Sequence, residues 1–415
     1  MRDADIVVLG AGVVGVSAAL HLQRRGRDVV LVDRNDAAGE GTSYGNAGLI
    51  ECASVFPYMF PRDLGHLLRY AVNGSADAHY QLSGIPEFLP WLVRYFLASS
   101  KAGAAGSAQA ALPLIRQSLT EHEILIGEAG VPELLRKTGW IKLFRSQGAM
   151  DVAVAEMERA RALGVTADVL DPAMIAAREP DITGDFAGAI HWLEPGFIPD
   201  PGGLVKAYAA LFARNGGRFA RGDARSLEQQ RGGWRVMTAD GAVQAREVVV
   251  ALGPWSDLVF KPLGYRIPLG VKRGYHQHFA PRAGAQLRHP LLDAERGYLL
   301  APMNRGIRLT TGAEFARRDA PPTPVQLAQT LPIARGLFPL GDALEPQAWM
   351  GARPCLPDML PVIGPAPRHP GLWFDFGHQH HGLTLGPVTG RLLAQLMTGE
   401  APLADPRPFA ADRFG

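Results

Sequence analysis

Asp5-Ile6-Val7-Val8-Leu9-Gly10-Ala11-Gly12-Val13-Val14-Gly15 is a short apolar run that ends in a G-x-G-x-x-G turn. A helical pattern follows through Val16, Ala19, Leu20 and Gln23, and Gly26 ends it. Asp28 to Val32 then reads as a second strand, ending at Asp33. This strand–turn–helix–strand unit gives each glycine a separate task. Gly10 permits the tight turn, Gly12 lets backbone approach a pyrophosphate, and Gly15 lets the helix lie close on the strand. The unpaired N–H groups and positive end of the helix favour phosphate. Asp33 stands where an acid hydrogen-bonds an adenosine ribose, with Arg34 beside it; Val14 belongs to the same loop. A dinucleotide site is the expectation.

The next stretch separates FAD from NAD. Gly39 to Leu49 contains Thr42, Ser43, Tyr44, Gly45, Asn46, Ala47 and Gly48, which are small, polar and glycine-rich. Such a segment suits backbone wrapped around a ligand and is unlike the second helix of a nicotinamide domain. FAD is therefore the expected cofactor.

Bulk properties bound the remaining options. At 415 residues the chain is long enough for two domains, and 47% apolar with 20% charged residues is ordinary for a globular protein. A net charge of +2 gives no footprint for nucleic acid. Most of the 42 basic residues are arginine, which reads as genome composition. The two cysteines, Cys52 and Cys355, form neither a zinc spacing nor a disulfide framework, so no metal is expected and a reducing, cytoplasmic setting is. Asp3 and Asp5 run straight into the first strand, unlike a secretory signal, and no apolar run reaches membrane-spanning length.

Three separated segments resemble the D-amino-acid dehydrogenase branch of the FAD-dependent amino-acid oxidase family, which includes D-amino-acid oxidases, glycine oxidase and sarcosine oxidases. The first is Gly10 to Asp33 with the Thr42–Gly48 loop. The second is Glu247 to Ser256, a buried strand ending at Gly253-Pro254-Trp255. The third is Gly351 to Gly364 with Gly377-His378-Gln379-His380-His381-Gly382-Leu383-Thr384. They occur in the family's order over nearly the whole chain, and the match is weakest between residues 50 and 135.

The resemblance implies an α/β architecture: a Rossmann-type FAD-binding domain and a second α+β substrate domain built on an antiparallel sheet. The expected boundaries are 1–50, 145–260 and 350–415 for FAD, and 51–144 with 261–349 for substrate. Helices are expected at 146–166, 204–213 and from 384 to about Met397; strands at 218–227, 234–238, 243–251, 266–279, 297–302 and 307–311. Phe88 to Leu97 reads as a helix packed on its own core, with a membrane surface as the alternative.

Flavin amino-acid oxidation needs the substrate carboxylate held in place, and an arginine fork does this best. The resemblance assigns that role to Arg353, in Gly351-Ala352-Arg353-Pro354. A structural salt bridge is the alternative. Tyr298 stands on a strand that faces substrate in the family and is either a second hydrogen-bond donor or a core tyrosine. Alternation puts His276 and His278 on one face and Arg273 on the other. Gly382, Leu383 and Thr384 precede a helix whose N-terminus would favour charge on a reduced flavin, and His381 is the histidine placed at the flavin edge or substrate pocket. Leu49, Gly253 and Trp255 complete the cofactor set, and the flavin is expected to be noncovalent.

The leading functional expectation is oxidation of a small D-amino or imino acid, with D-proline or a hydroxyproline isomer as candidates. Electrons would go to an acceptor other than oxygen, a quinone or an artificial dye, with peripheral membrane contact as an option. An oxygen-using oxidase of the glycine or sarcosine type is the runner-up. A subunit of a hetero-oligomeric dehydrogenase and an RNA-modifying flavoprotein stand behind it.

Overall fold

The computed structural model describes residues 3–62, 64–74 and 76–414. The chain opens with β1 (Ala4–Leu9), α1 (Val13–Gln23) and β2 (Val29–Asp33). The glycine-rich stretch leads to β3 (Leu49–Ile50), followed by α2 (Leu64–Ala71), β4 (Ala78–Tyr80), α3 (Ile85–Ala98) and α4 (Lys101–Ala129). Next come β5 (Trp140–Phe144), α5 (Gln147–Arg161), β6 (Ala167–Leu170), α6 (Pro172–Arg178), β7 (Gly188–Trp192), β8 (Gly196–Phe197) and α7 (Pro201–Arg214). The meander β9 (Arg218–Gln230), β10 (Gly233–Thr238), β11 (Gly241–Val250) precedes α8 (Asp257–Phe260). A second strand-rich stretch holds β12 (Gly270–Pro281), β13 (Leu291–Asp293), β14 (Tyr298–Met303), β15 (Gly306–Thr311), β16 (Ala313–Phe315), α9 (Val325–Leu337), β17 (Leu340–Ala343) and β18 (Trp349–Cys355). β19 (Val362–Pro365), β20 (Leu372–Phe376) and α10 (Gly382–Thr398) close the fold.

Helix starts follow sequence chemistry. Ser100, Ser146, Asp171 and Asp200 each accept a backbone N–H three residues on, capping α4, α5, α6 and α7. Gly130, with φ +74°, ends α4 in the left-handed region.

The first sheet runs β1-β2-β9-β10-β11-β20-β19, with β1 also paired to β11. β1 is parallel to both β2 and β11, and β11 is parallel to β20. Alternation then decides two cores. Ile6 and Val8 face α1, α4, α7 and α10, whereas Val7 and Leu9 pack with Trp234, Phe260 and Phe374 on the other side. α10 lies so close on α1 that a Cβ at Gly390 would stand 2.7 Å from the Ala18 nitrogen.

The second sheet runs β4-β16-β12-β15-β14-β13-β5-β7-β6, with β17 and β18 both pairing with β12. It is mostly antiparallel, with β4/β16 and β5/β13 as parallel exceptions. One face packs under α9 through Leu300, Leu309, Leu327 and Leu337. The other carries Trp140, Leu299 and Ala301 against Leu49 and Phe197.

The sheets redraw the expected boundaries in three places. β6 and β7, within residues 167–192, belong to the second sheet with β5, whereas the expected FAD domain includes 145–192. α4, expected in the substrate domain, packs its Leu114, Ile115, Leu125 and Ile126 into the core beneath α1, α7 and α10. β18 pairs with β12, not with the first sheet. The reason is common to all three: strand pairing and helix burial join segments far apart in sequence, which local pattern does not report.

α3 buries Trp91 and Tyr95 and leaves Leu89, Val93 and Leu97 49%, 51% and 65% exposed. Among the described residues no helix is long and apolar enough to cross a membrane.

Candidate active site

A cavity of about 1100 Å³ extends from the Gly10 turn to β12 and β18 of the second sheet. At its first end, Gly10 adopts φ +106°, where a side chain would also meet the Ala251 carbonyl. A Cβ at Gly15 would collide with the Gly10 carbonyl, so Gly15 sets the approach of α1 to the turn and does not border the cavity. Gly12 and Val14 do border it. Gly12 caps α1 without a side-chain acceptor, and the first turn holds no acid. Ser43 takes the Val13 N–H at 3.0 Å, and the positive end of the helix otherwise opens on the cavity.

Asp33 accepts the Ala11 N–H at 2.7 Å and the Asn35 N–H at 2.9 Å. These leave lone pairs for hydroxyl donors. The Arg34 guanidinium lies 4.1 Å over the Trp255 ring. Arg221 to Arg225 and Thr238 also line this end. Sequence reading missed them, because what brings them here is the pairing of β9 beside β2, with Arg221 opposite Asp33.

Around the middle, Thr42 donates to the Ala352 carbonyl at 2.9 Å and Asn46 accepts the Gly48 N–H at 2.8 Å. Ser43, Ala47, Leu49 and Gly253 line the cavity. Gly48, at φ +85°, does not; it lets the chain pass against Ile198. Gly382 and Leu383 at the start of α10 line it too. Thr384 turns inward, receiving the Glu51 N–H at 3.1 Å and donating to the Leu49 carbonyl at 3.3 Å. α10 likewise starts without a side-chain cap or an acidic first turn. Its Leu383 carbonyl would normally accept from residue 387, but Pro387 has no N–H. Buried His122 supplies the missing donor through Nε2 at 2.6 Å, and its Nδ1 meets the Tyr208 hydroxyl at 2.9 Å. Burial holds the His122 pKa down, to about 4, so the ring is neutral at pH 7.

The far end collects Glu51, Tyr58, Lys272, Arg353, Cys355, Met359 and His380. Arg353 donates through Nη1 to the carbonyls of Arg273 and Gly312, at 3.3 and 3.2 Å. Among the described residues it has no carboxylate partner, and burial lowers its pKa. Lys272 stands opposite Arg353 in the β12/β18 register. It shares the strand parity of His276, which groups the two on one face without saying that this face borders a cavity. His276 reaches the cavity, stacked on Trp349 at 4.8 Å. His278 is taken up by Glu345 and Arg308, and Arg273 is buried on the opposite face against Glu314.

Tyr298 and Leu299 both border the cavity. Tyr298 is 1% exposed and packs with Ile141, Leu143 and Leu300, whereas Leu299 packs with Trp140 and Leu49. His381 does not border the cavity: it lies behind Glu51 and hydrogen-bonds its carboxylate at 3.0 Å, while the wall holds His378 and, at the far end, His380. The His380 Nε2 has no hydrogen-bond partner among the described residues. Burial, helped by His381, Arg353 and Lys272, holds its pKa far below the ordinary range. Glu51 approaches His380 and His381, with their possible ligand atoms within 4.8 Å of one another. Cys355 and Cys52 are free, and burial pushes both thiols up, Cys52 to about 12.

A glycine-lined phosphate cradle, two open helix N-termini and an acid at the end of β2 define a dinucleotide-binding flavoprotein. The glycine cradle and uncapped helix ends fit FAD. A family profile described as FAD dependent oxidoreductase matches residues 5–396, and the chain belongs to this family. A D-amino-acid oxidase of Bradyrhizobium diazoefficiens is 31% identical over 99% of this chain and 98% of its own length. A D-amino acid dehydrogenase 2 of Mesorhizobium japonicum is 30% identical over 97% and 98%. The structure of glycine oxidase from Geobacillus kaustophilus superposes with a TM-score of 0.77 at 22% identity, covering 99% of this chain and 98% of that one.

Proposed function

We propose that this chain oxidises a small D-amino or imino acid at its α-carbon and passes the electrons to an acceptor other than oxygen. One observation carries the reading: half-buried Arg353, without an acidic partner among the described residues, shares the far wall of an FAD cavity with Glu51. A zwitterion fits that field. The free edge of the Arg353 fork takes the α-carboxylate, while its carbonyl anchors fix the plane. Glu51, oriented by His381, faces the ammonium side. The His380 ring stays neutral next to two cations, so its free nitrogen offers a hydrogen-bond acceptor to the substrate nitrogen, and the proton the ammonium loses leaves to water. Bound FAD supplies the hydride acceptor. The resulting imine is hydrolysed by water. Gly10, Gly12, Val14, Asp33, Arg34, Thr42, Ser43, Ala47, Leu49, Gly253, Trp255, Gly382 and Leu383 hold the cofactor; Gly15, Asn46, Gly48 and Thr384 shape its walls. The D configuration is supported by the names of the relatives. Two inert thiols support noncovalent FAD, which acid precipitation would release into the supernatant. Leu89, Val93 and Leu97 offer a peripheral membrane contact, read out by cosedimentation with vesicles.

The test is the visible flavin spectrum of the purified holoenzyme without oxygen. D- and L-amino acids, D-proline, hydroxyproline isomers, glycine and sarcosine are added singly. Bleaching by the D series supports the reading. Slow recolouring in air and fast recolouring with a quinone or dye support the dehydrogenase form, whereas fast recolouring in air favours the oxidase. A bound flavin that no amino or imino acid bleaches overturns the proposal.

A further inference from the structure

The far wall carries more positive charge than a single carboxylate needs. Lys272 and Arg353 are directly opposed on antiparallel strands, and both face the cavity. Like charges so placed repel unless an anion joins them. Neither has a carboxylate partner among the described residues. Arg353 is held by two backbone carbonyls. The Lys272 ammonium lies over three rings, 4.1 Å from the centre of Tyr95, 5.2 Å from Trp91 and 5.8 Å from Phe315. This aromatic enclosure fixes the ammonium in place but contributes no negative charge. Glu51 on the same wall is already engaged by His381.

Charge balance then discriminates among substrates. Two cations share this wall with Glu51, and burial keeps the His276 and His380 rings neutral. A neutral zwitterion leaves one positive charge uncompensated in a buried site; an amino acid bearing one further anion leaves none. Burial makes the difference large, because residual charge is poorly screened there.

Resting on the amino-acid reading above, we propose that the substrate carries a second anionic group, held by Lys272 while Arg353 holds the α-carboxylate. Acidic D-amino acids and imino dicarboxylates are the matching class. The same wall repels basic side chains.

Anaerobic bleaching of the holoenzyme tests this with D-aspartate, D-glutamate and iminodiacetate against D-alanine, D-proline and D-lysine. The expected outcome is an apparent second-order bleaching rate at least tenfold higher for the best acidic compound than for the best neutral one, with D-lysine slowest. In Lys272→Met the acidic-to-neutral ratio falls at least tenfold, and Lys272→Arg retains it. Binding gives a readout free of turnover: malonate and succinate perturb the visible flavin band at lower concentration than acetate and propionate, and Lys272→Met abolishes the difference. Should Lys272→Met lose its flavin, Lys272→Gln takes its place, and the wild-type panel decides by itself. Neutral compounds bleaching faster than acidic ones, or Lys272→Met weakening both classes equally, overturns the inference and leaves amino-acid oxidation standing. Bleaching by no compound of either class overturns both.

Discussion

Arg353 is valuable for its shape as well as its charge. Two of its contacts are spent on the Arg273 and Gly312 carbonyls, which lock the guanidinium plane against the cavity. A lysine at this position keeps the charge but presents a point, not a fork. Arg353→Lys is expected to raise the dissociation constant of a carboxylate ligand about 10- to 100-fold, the loss of one to two charge-assisted hydrogen bonds; titration of the flavin band with a monocarboxylate measures it. Gly15→Ala acts differently, because its methyl meets backbone oxygen, not a flexible side chain. That variant is expected to purify with little FAD and a lowered melting temperature. Period-two alternation along the chain is enough to put Arg273 and His276 on opposite faces of one strand. It does not say which face borders a cavity. His381 falls one residue from the wall, next to His380.

At the scale of elements, the start of α10 depends on a repair between distant helices. Pro387 removes the donor for the Leu383 carbonyl, and His122 of α4 replaces it. His122→Phe leaves that carbonyl buried and unpaired and is expected to cost about 1–3 kcal/mol in urea unfolding. Pro387→Ala restores the helical N–H. In the double variant the loss on removing His122 should shrink; equal losses in both backgrounds would show that His122 acts by packing alone. The helix itself is legible from its apolar pattern after Thr384. Its anchor is not, since nothing local links residue 122 to residue 383.

The whole molecule stores protons unevenly. Burial holds His21, His122 and His276 neutral, with pKa values near 3, 4 and 2. In the unfolded chain each titrates near the usual 6.5, so between pH 6.5 and about 4 the unfolded state binds more protons. Stability from these groups is complete above pH 6.5 and is lost as pH falls through that window. The expected slope approaches about 4 kcal/mol per pH unit near pH 5, from three histidines at about 1.4 each. Urea unfolding at fixed free FAD, from pH 7 to 4.5, measures it; a flat profile would mean that these rings are solvated or already paired with protons.

Local chemistry determined the opening β1–α1–β2 unit, the glycine turn at Gly10 and Gly12, the acid at Asp33 and the alternation along β12. Each depends on residues within one or two turns or strands, where sterics and periodicity act directly. Tertiary structure decided the rest. It placed β5, β6 and β7 in the second sheet, carried α4 beneath the first, and set Lys272 opposite Arg353 and His381 against Glu51. These pairings join residues tens to hundreds of positions apart. They follow from how the two cores fill and which register buries the most apolar surface, quantities that exist only once the chain has closed on itself.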